Sequence, residues 1–257
     1  MKNNKTVWII VVAVIAVLIL GVFFSYYNYA TKEIKNPLVT MEVEGYGVVK
    51  FELYPDKAPN TVKHIIKLVN EGFYNGLTFH RTIPDFMVQG GDKDGTGAGE
   101  VGYALPGEFI ANGWKDNDLK HERGVLSMAR GDYSSLGSGL TSYSYNSAGT
   151  QFFIMTKENS YLDGYYTAFG RVVEGMEIVD AISNVDVVTR EQGQEGLDKP
   201  IAPPVITSMT VDTFGVNYGD SKTVESFNYN NWVMENYGID LNSLYSDSEE
   251  TGEEVDL

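Results

Sequence analysis

The chain has 257 residues, with 19 Lys+Arg against 35 Asp+Glu, a net charge of −16, and no Cys. The missing Cys excludes a disulfide scaffold, a thiol nucleophile, a thiolate zinc site, an iron–sulfur cluster and an acylated lipoprotein anchor. The acidic balance argues against nucleic-acid partners, which select Lys and Arg to replace counterions. Three widely spaced histidines, His64, His80 and His121, make no His-x-x-x-His pair, so no metal site is expected.

Val7–Phe24 (VWIIVVAVIAVLILGVFF) is an 18-residue run without a charge. At ~1.5 Å per residue it makes a helix of about 27 Å, nearly the depth of a hydrocarbon core. Trp8 at one end and Tyr26, Tyr27 and Tyr29 at the other resemble an interfacial aromatic belt. Lys2 and Lys5 precede the run and Lys32 and Lys35 follow it, a modest bias towards a cytoplasmic N-terminus. A cleaved signal peptide has a shorter apolar core and a small-x-small cleavage site; Asn28-Tyr29-Ala30 does not supply one. An uncleaved membrane anchor over residues 1–30 is therefore expected, ahead of a cleaved signal peptide and of a buried core helix. Either of the first two exports the rest, as a single-pass membrane protein with its folded part extracytoplasmic, or as a secreted one.

A polar linker spans 31–37. Val39–Glu44 and Val48–Leu53 alternate apolar and polar residues across Gly45-Tyr46-Gly47, which predicts a β-hairpin. A helix starts at Pro59-Asn60-Thr61, with Val62, Ile65, Ile66 and Val69 on one face, and stops at Gly72. Short apolar strands follow at Phe79–Arg81, Phe86–Gln89, Val125–Ala129, Gln151–Met155 and Thr167–Val173. Gly175–Ser183 reads as a second helix and Val205–Phe214 as a late strand. Many strands with few helices predict a mainly β barrel or sandwich with helical caps. From Gly215 the periodicity decays, and Ser246–Leu257 carries six acids and no base, as a solvated tail does.

Several motifs fail on inspection. Gly91-Asp92-Lys93-Asp94-Gly95 resembles the start of a calcium loop, but the twelfth position is Tyr103 rather than Glu. Gly95-Thr96-Gly97-Ala98-Gly99 is followed by no Gly-Lys-Ser/Thr, so it is read as a surface loop. Ser134–Ser147 contains no nucleophile elbow. Phe79–Asp92 (FHRTIPDFMVQGGD) differs: it places an Arg, two Phe, a Met and a Gln on strand-like segments. Met87 and Gln89 share a face by alternation, and Phe86 has to be re-aimed by the turn at Pro84-Asp85. Apolar side chains beside a fixed cation and an amide make a pocket with a few placed polar groups. The alternative is an ordinary core strand with a surface Arg.

FHRTIPDFMVQGGD, GVLSMAR, GTQFFIMT, YLDGYYTAFGRVVEGMEIVDAI and FELYPDKAPNTVKHI together resemble the cyclophilins, which are peptidyl-prolyl cis–trans isomerases. The blocks keep the family's order over roughly Val39 to Phe214. The resemblance implies a closed, eight-stranded antiparallel β-barrel capped by two helices over 38–214, followed by a polar extension over 215–257. It implies Arg81 and Gln89 as catalytic residues. Phe86, Met87, Ala129, Phe153, Tyr161, Leu162 and Tyr166 would bind substrate. It implies no cofactor or metal, and proline-containing unfolded or flexible polypeptides as partners, with isomerisation serving the folding of exported proteins.

Three departures stand out. Tyr161 replaces the Trp that many members carry before Leu-Asp-Gly, so any cyclosporin binding is expected to be weakened. Tyr166 replaces a common His, and Arg130 a common Asn after Met-Ala. The segment between Ala129 and Gln151 is longer than usual and reads as a mobile flap beside the site. Two other functions share these features: a proline-peptide binding module without turnover, and a holdase chaperone using the aromatic loop and the tail.

Overall fold

The computed structural model describes residues 3–30, 35–99, 101–188 and 198–241. Lys2, Lys32 and the acidic tail Ser246–Leu257 lie outside the described residues, as do the side chains of Lys5, Tyr26, Tyr27 and Tyr29. The chain divides into two units, Met1–Lys35 and Asn36–Leu257.

The first unit is one helix, α1 (Asn3–Ala30). Its Val7–Phe24 stretch is long and apolar enough to cross a membrane, and none of it is buried.

The second unit runs in order through β1 (Leu38–Val43), β2 (Gly47–Leu53), α2 (Pro59–Asn70), β3 (Thr78–Ile83), β4 (Met87–Asp92), β5 (Tyr103–Ala104) and β6 (Val125–Met128). It continues with α3 (Thr141–Tyr145), β7 (Phe152–Met155), β8 (Ala168–Glu174), α4 (Met176–Ser183), β9 (Ile206–Asp212), β10 (Val224–Glu225) and α5 (Tyr229–Tyr237). Eight strands form one antiparallel sheet in the order β3-β4-β7-β6-β8-β2-β1-β9.

The closed barrel expected from the sequence is corrected here: the sheet is an open, strongly curled half-barrel with β3 and β9 as its edges. The edges approach at a single Thr78–Val205 bridge, with Ile206 N donating to Leu77 O at 2.8 Å and Phe79 N to Pro204 O at 2.9 Å. The contact cannot grow into a ladder, because Pro203 and Pro204 enter β9 without N–H donors.

Strand alternation sorts apolar residues onto both faces of the sheet. Val88, Leu126, Phe152 and Phe169 point into the main core, which α2 covers with Val62, Ile65 and Val69 and α4 with Val179 and Ile182. Their chain neighbours Met87, Val125, Phe153 and Ala168 form a second, smaller cluster on the outer face. The functional side chains stand over this second cluster. The N-terminus of α2 has no capping side chain of its own; instead Glu108 accepts the N–H groups of Asn60 and Thr61, both at 2.8 Å.

Gly91, the next-to-last residue of β4, has φ +85°, and a Cβ there would lie 2.6 Å from the Thr150 carbonyl oxygen. Gly91→Ala combines a left-handed backbone with an overpacked contact, and is expected to destabilise the fold by about 2–4 kcal/mol. A fall in Tm by thermal denaturation checks this; an unchanged Tm would show that the turn relaxes freely.

Candidate active site

A register shift in β3 decides where Arg81 points. Phe79 pairs with Gly90 and Arg81 with Gln89, so His80 is an extra residue bulged out of the ladder. Two positions apart, Phe79 and Arg81 would share a face in a regular strand. With the bulge, Phe79 is fully buried in the main core, while Arg81 stands on the outer face with its side chain 41% exposed. Across the sheet Gln89 pairs with Phe153 and Phe153 with Ser127. Arg81, Gln89 and Phe153 therefore stand side by side on three neighbouring strands.

The β3–β4 turn brings in Phe86. Asp85 adopts φ +56°, and Phe86 N donates to Ile83 O at 3.2 Å, closing the turn. This turn swings the Phe86 ring to the face that Met87 and Gln89 share, as the sequence required. Arg81, Phe86, Met87, Gln89, Ala129, Phe153, Leu162 and Tyr166 all line one cavity of about 150 Å³. Of the residues singled out from sequence, Tyr161 alone stands outside this lining. It lies beside Leu162 on a short turn, 90% exposed.

Packing behind the cavity fixes the rings. Phe153, 6% exposed, stacks on His121 with centroids 6.1 Å apart and meets Tyr166 edge-on at 6.0 Å. His121 is locked at both nitrogens, Nδ1 lying 3.1 Å from Asp163 Oδ1 and Nε2 3.1 Å from Ser127 Oγ. Burial holds the His121 pKa below its ordinary value, against the opposing pull of Asp163. Burial alone would raise Asp163, but hydrogen bonds from the His121 backbone and ring outweigh it and hold the carboxyl low. A neutral imidazole thus backs the Phe153 ring, one layer behind the cavity. On the polar side, Gln89 Nε2 donates to Gln151 Oε1 at 2.9 Å, and Gln151 Nε2 donates to Gly97 O at 3.1 Å.

One residue beside the site escaped sequence reasoning, and a second was met only as a departure from the family pattern. Asp198 Oδ2 lies 3.6 Å from Arg81 Nη2. No motif contains it, and its partner is distant in the chain, so no sequence signal pointed to it. Arg130 also borders the cavity. It lies over the Tyr166 ring at 4.4 Å and donates from Nε to Tyr165 O at 3.1 Å. Its departure from the common Asn was the available signal. The segment expected as a mobile flap is pinned by its own serines: Gly131 N donates to Ser147 Oγ at 2.8 Å and Tyr133 N to Ser144 Oγ at 2.9 Å.

The sequence profile described as "cyclophilin type peptidyl-prolyl cis-trans isomerase/CLD" matches residues 38–211, which is most of the chain. The chain belongs to the cyclophilin-type peptidyl-prolyl cis–trans isomerases. Its cyclophilin segment is 43% identical over 146 residues to peptidyl-prolyl cis-trans isomerase B of Bacillus subtilis, covering 57% of this chain and 90% of that one. It is 36% identical over 171 residues to a peptidyl-prolyl cis-trans isomerase of Acinetobacter baylyi, covering 65% of this chain and 82% of that one. Among solved structures, a cyclophilin-type isomerase of Cryptosporidium parvum aligns over 69% of this chain and 98% of its own, with TM-score 0.56 and 28% identity. A second structure of that protein, in the presence of the dipeptide Ala-Pro, aligns over 68% of this chain and 98% of its own, with TM-score 0.55 and 30% identity. The activity is accordingly that of a cyclophilin: isomerisation of X–Pro peptide bonds.

Proposed function

We propose that the Arg81 cavity is the isomerisation site and that it acts on exported, proline-containing chains. The observation that carries this reading is a guanidinium lining a cavity of about 150 Å³ that Phe86, Met87, Phe153 and Leu162 also wall, room for a small ring. The Cryptosporidium relative determined in the presence of Ala-Pro supports the ligand class.

X–Pro bonds interconvert unaided in tens to hundreds of seconds, because amide resonance resists twisting. A catalyst has to hold the twisted amide more tightly than either planar form. Phe86, Met87, Phe153 and Leu162 grip the proline ring, with Ala129 and Tyr166 closing the walls. Gln89 and nearby backbone hold one flank of the peptide, so that the other rotates. In the twisted amide the nitrogen has lost conjugation and become a better acceptor, and Arg81 donates to it. An acceleration on the order of 10⁵ requires about 7 kcal/mol of such differential stabilisation, more than one charge-assisted bond supplies, so desolvation and clamping contribute the remainder. No nucleophile and no cofactor enters these steps.

Asp198 is a positioning residue in this scheme, setting the resting direction of the guanidinium. Asp198→Asn is expected to lower kcat/KM by about two- to fivefold, the size of a partly exposed ion pair. Unchanged kinetics would assign Arg81 its direction from the strand alone.

The apolar α1 helix supports membrane attachment over residues 1–30, with the isomerase unit outside the cytoplasm and residues 31–37 as the link. The exposed Tyr161 next to Leu162, in place of an indole, supports weakened cyclosporin binding. NMR exchange spectroscopy on a short X–Pro peptide with the full-length protein in detergent tests the central reading. Accelerated exchange is expected; peptide binding without acceleration would make the cavity a binding module only.

A further inference from the structure

The polar extension is built into the folded unit, although it lies beyond residues 38–211, the part that matches the family. Val224 and Glu225 pair with Ala104 and Tyr103 as a two-stranded sheet. Asn60 clasps Lys222, donating from Nδ2 to its carbonyl at 2.9 Å and accepting its N–H at 2.6 Å. Ser221 Oγ lies 3.2 Å from His64 Nδ1 on α2. Past these fastenings, Phe227 packs against Tyr133 and Tyr143, with centroids 4.7 and 4.5 Å apart. The extension is thus a strap fastened to α2 that reaches the 131–149 segment.

From Phe227 a line of packed side chains leads to the proline cavity. Tyr133 N donates to Ser144 Oγ at 2.9 Å, so the two rings that Phe227 touches belong to one closed loop. Tyr143 and Tyr145 both stand on α3, whose five residues are too few to keep a helix without packing. The Arg130 guanidinium lies 5.3 Å from the Tyr145 ring centroid and 4.4 Å from that of Tyr166, bridging the two rings. Tyr166 walls the cavity and meets Phe153 edge-on. Buried Phe109 also meets Tyr145 edge-on, at 5.2 Å, and holds it from the side of the domain.

We infer that Phe227 is a positioning residue for the reaction: through α3 and Arg130 it holds the Tyr166 wall against the bound proline. This inference rests on the reading of the Arg81 cavity as the proline site. It gives the strap a part in substrate affinity, although no residue of the strap touches the proline cavity. Removing the Phe227 ring loosens α3 and Tyr145, Arg130 loses one of its two rings, and Tyr166 closes less firmly. Arg81 and Gln89 stand on β3 and β4, outside this line, so the loss falls on KM and spares kcat.

The test measures kcat and KM for one X–Pro peptide with the full-length protein in detergent, at a temperature where circular dichroism matches wild type. Phe227→Ala is expected to raise KM by about three- to tenfold, the usual reach of coupling through packed side chains, with kcat within about twofold. Phe227→Tyr keeps the ring and restores the wild-type KM. Where Phe227→Ala fails to fold, Phe227→Leu keeps the bulk without the ring and is read in its place, with KM raised in the same direction. Combining the Phe227 variant with Arg130→Ala should give no larger KM than Arg130→Ala alone, because both break one line of contacts. An unchanged KM in the folded variant would show that Phe109 alone holds Tyr145, and would overturn the inference. A loss confined to kcat, or additive effects with Arg130→Ala, would overturn it as well; each of these leaves the proline site intact. If the wild type turns over no X–Pro peptide, the proline-site reading fails and this inference falls with it.

Discussion

Replacing Arg81 by Ala is expected to lower kcat/KM for an X–Pro peptide by about 10²- to 10³-fold, the usual loss when one donor aimed at developing charge is removed. The fold should survive. The side chain is 41% exposed, and its ion pair with Asp198 is a loose one at 3.6 Å, worth at most about 1 kcal/mol. Circular dichroism and Tm should match wild type, and the loss should fall on kcat more than on KM. Arg81→Lys keeps the charge but not the planar fork, so it should recover only part of the rate. Full activity in Arg81→Ala would remove the guanidinium from the mechanism and leave clamping and desolvation to do all of it.

The second large effect is on stability in acid. All three histidines are buried, and burial lowers the pKa of each, His64 to about 4. In the unfolded chain they titrate near 6.5. Between these values the unfolded chain binds more protons than the folded one, so stability rises with pH there. The contribution is fully present above about pH 6.5 and is lost as pH falls towards 4. For His64, 3% exposed, it amounts to about 3 kcal/mol at the acid end. Glu108 works in the opposite sense, because burial raises its pKa, and it offsets part of the loss. Tm is expected to drop by about 5–10 °C between pH 7.5 and pH 4.5. His64→Gln should flatten that slope, since glutamine can still reach Ser221 and Tyr103 but takes up no proton. An equal slope in the variant would place the acid sensitivity on His80 and His121.

Most of the fold was legible, β1 and β2 from period-two alternation and the later strands as short apolar runs between turns. Phe152 and Phe153 show why: adjacent residues, one in the main core and one under the site, both apolar because both faces are covered. Alternation says which face a residue takes but not whether two distant edges meet, so the closed barrel was over-read; two prolines before β9 decide the matter. The extension was also under-read. Its strand is two residues long, and α5 (YNNWVMENY) carries no apolar stripe, so its order comes from Asn60, His64 and the Tyr133–Phe227 contact rather than from local pattern. Within the site, motif residues gathered as expected. Tyr161 shows the limit: a place in a motif does not fix the direction of a side chain. Asp198 shows another, since a partner outside every motif leaves no local trace.

The bulge at His80 can be put in terms of parity. A strand assigns odd and even positions to opposite sides, and a gain or loss of one residue normally exchanges the sides for everything beyond it. In β3 the inward Phe79 and the outward Arg81 have the same parity, and the extra residue between them keeps them apart. Deleting His80 would make them neighbours of opposite parity, each still on its present side and opposite its present partner. Deleting Thr82 instead would break the agreement between β3 and β4 on one side of the cut. Chain length and side-chain placement are uncoupled at His80, so the interior can be repacked around Phe79 without turning the guanidinium away from the pocket.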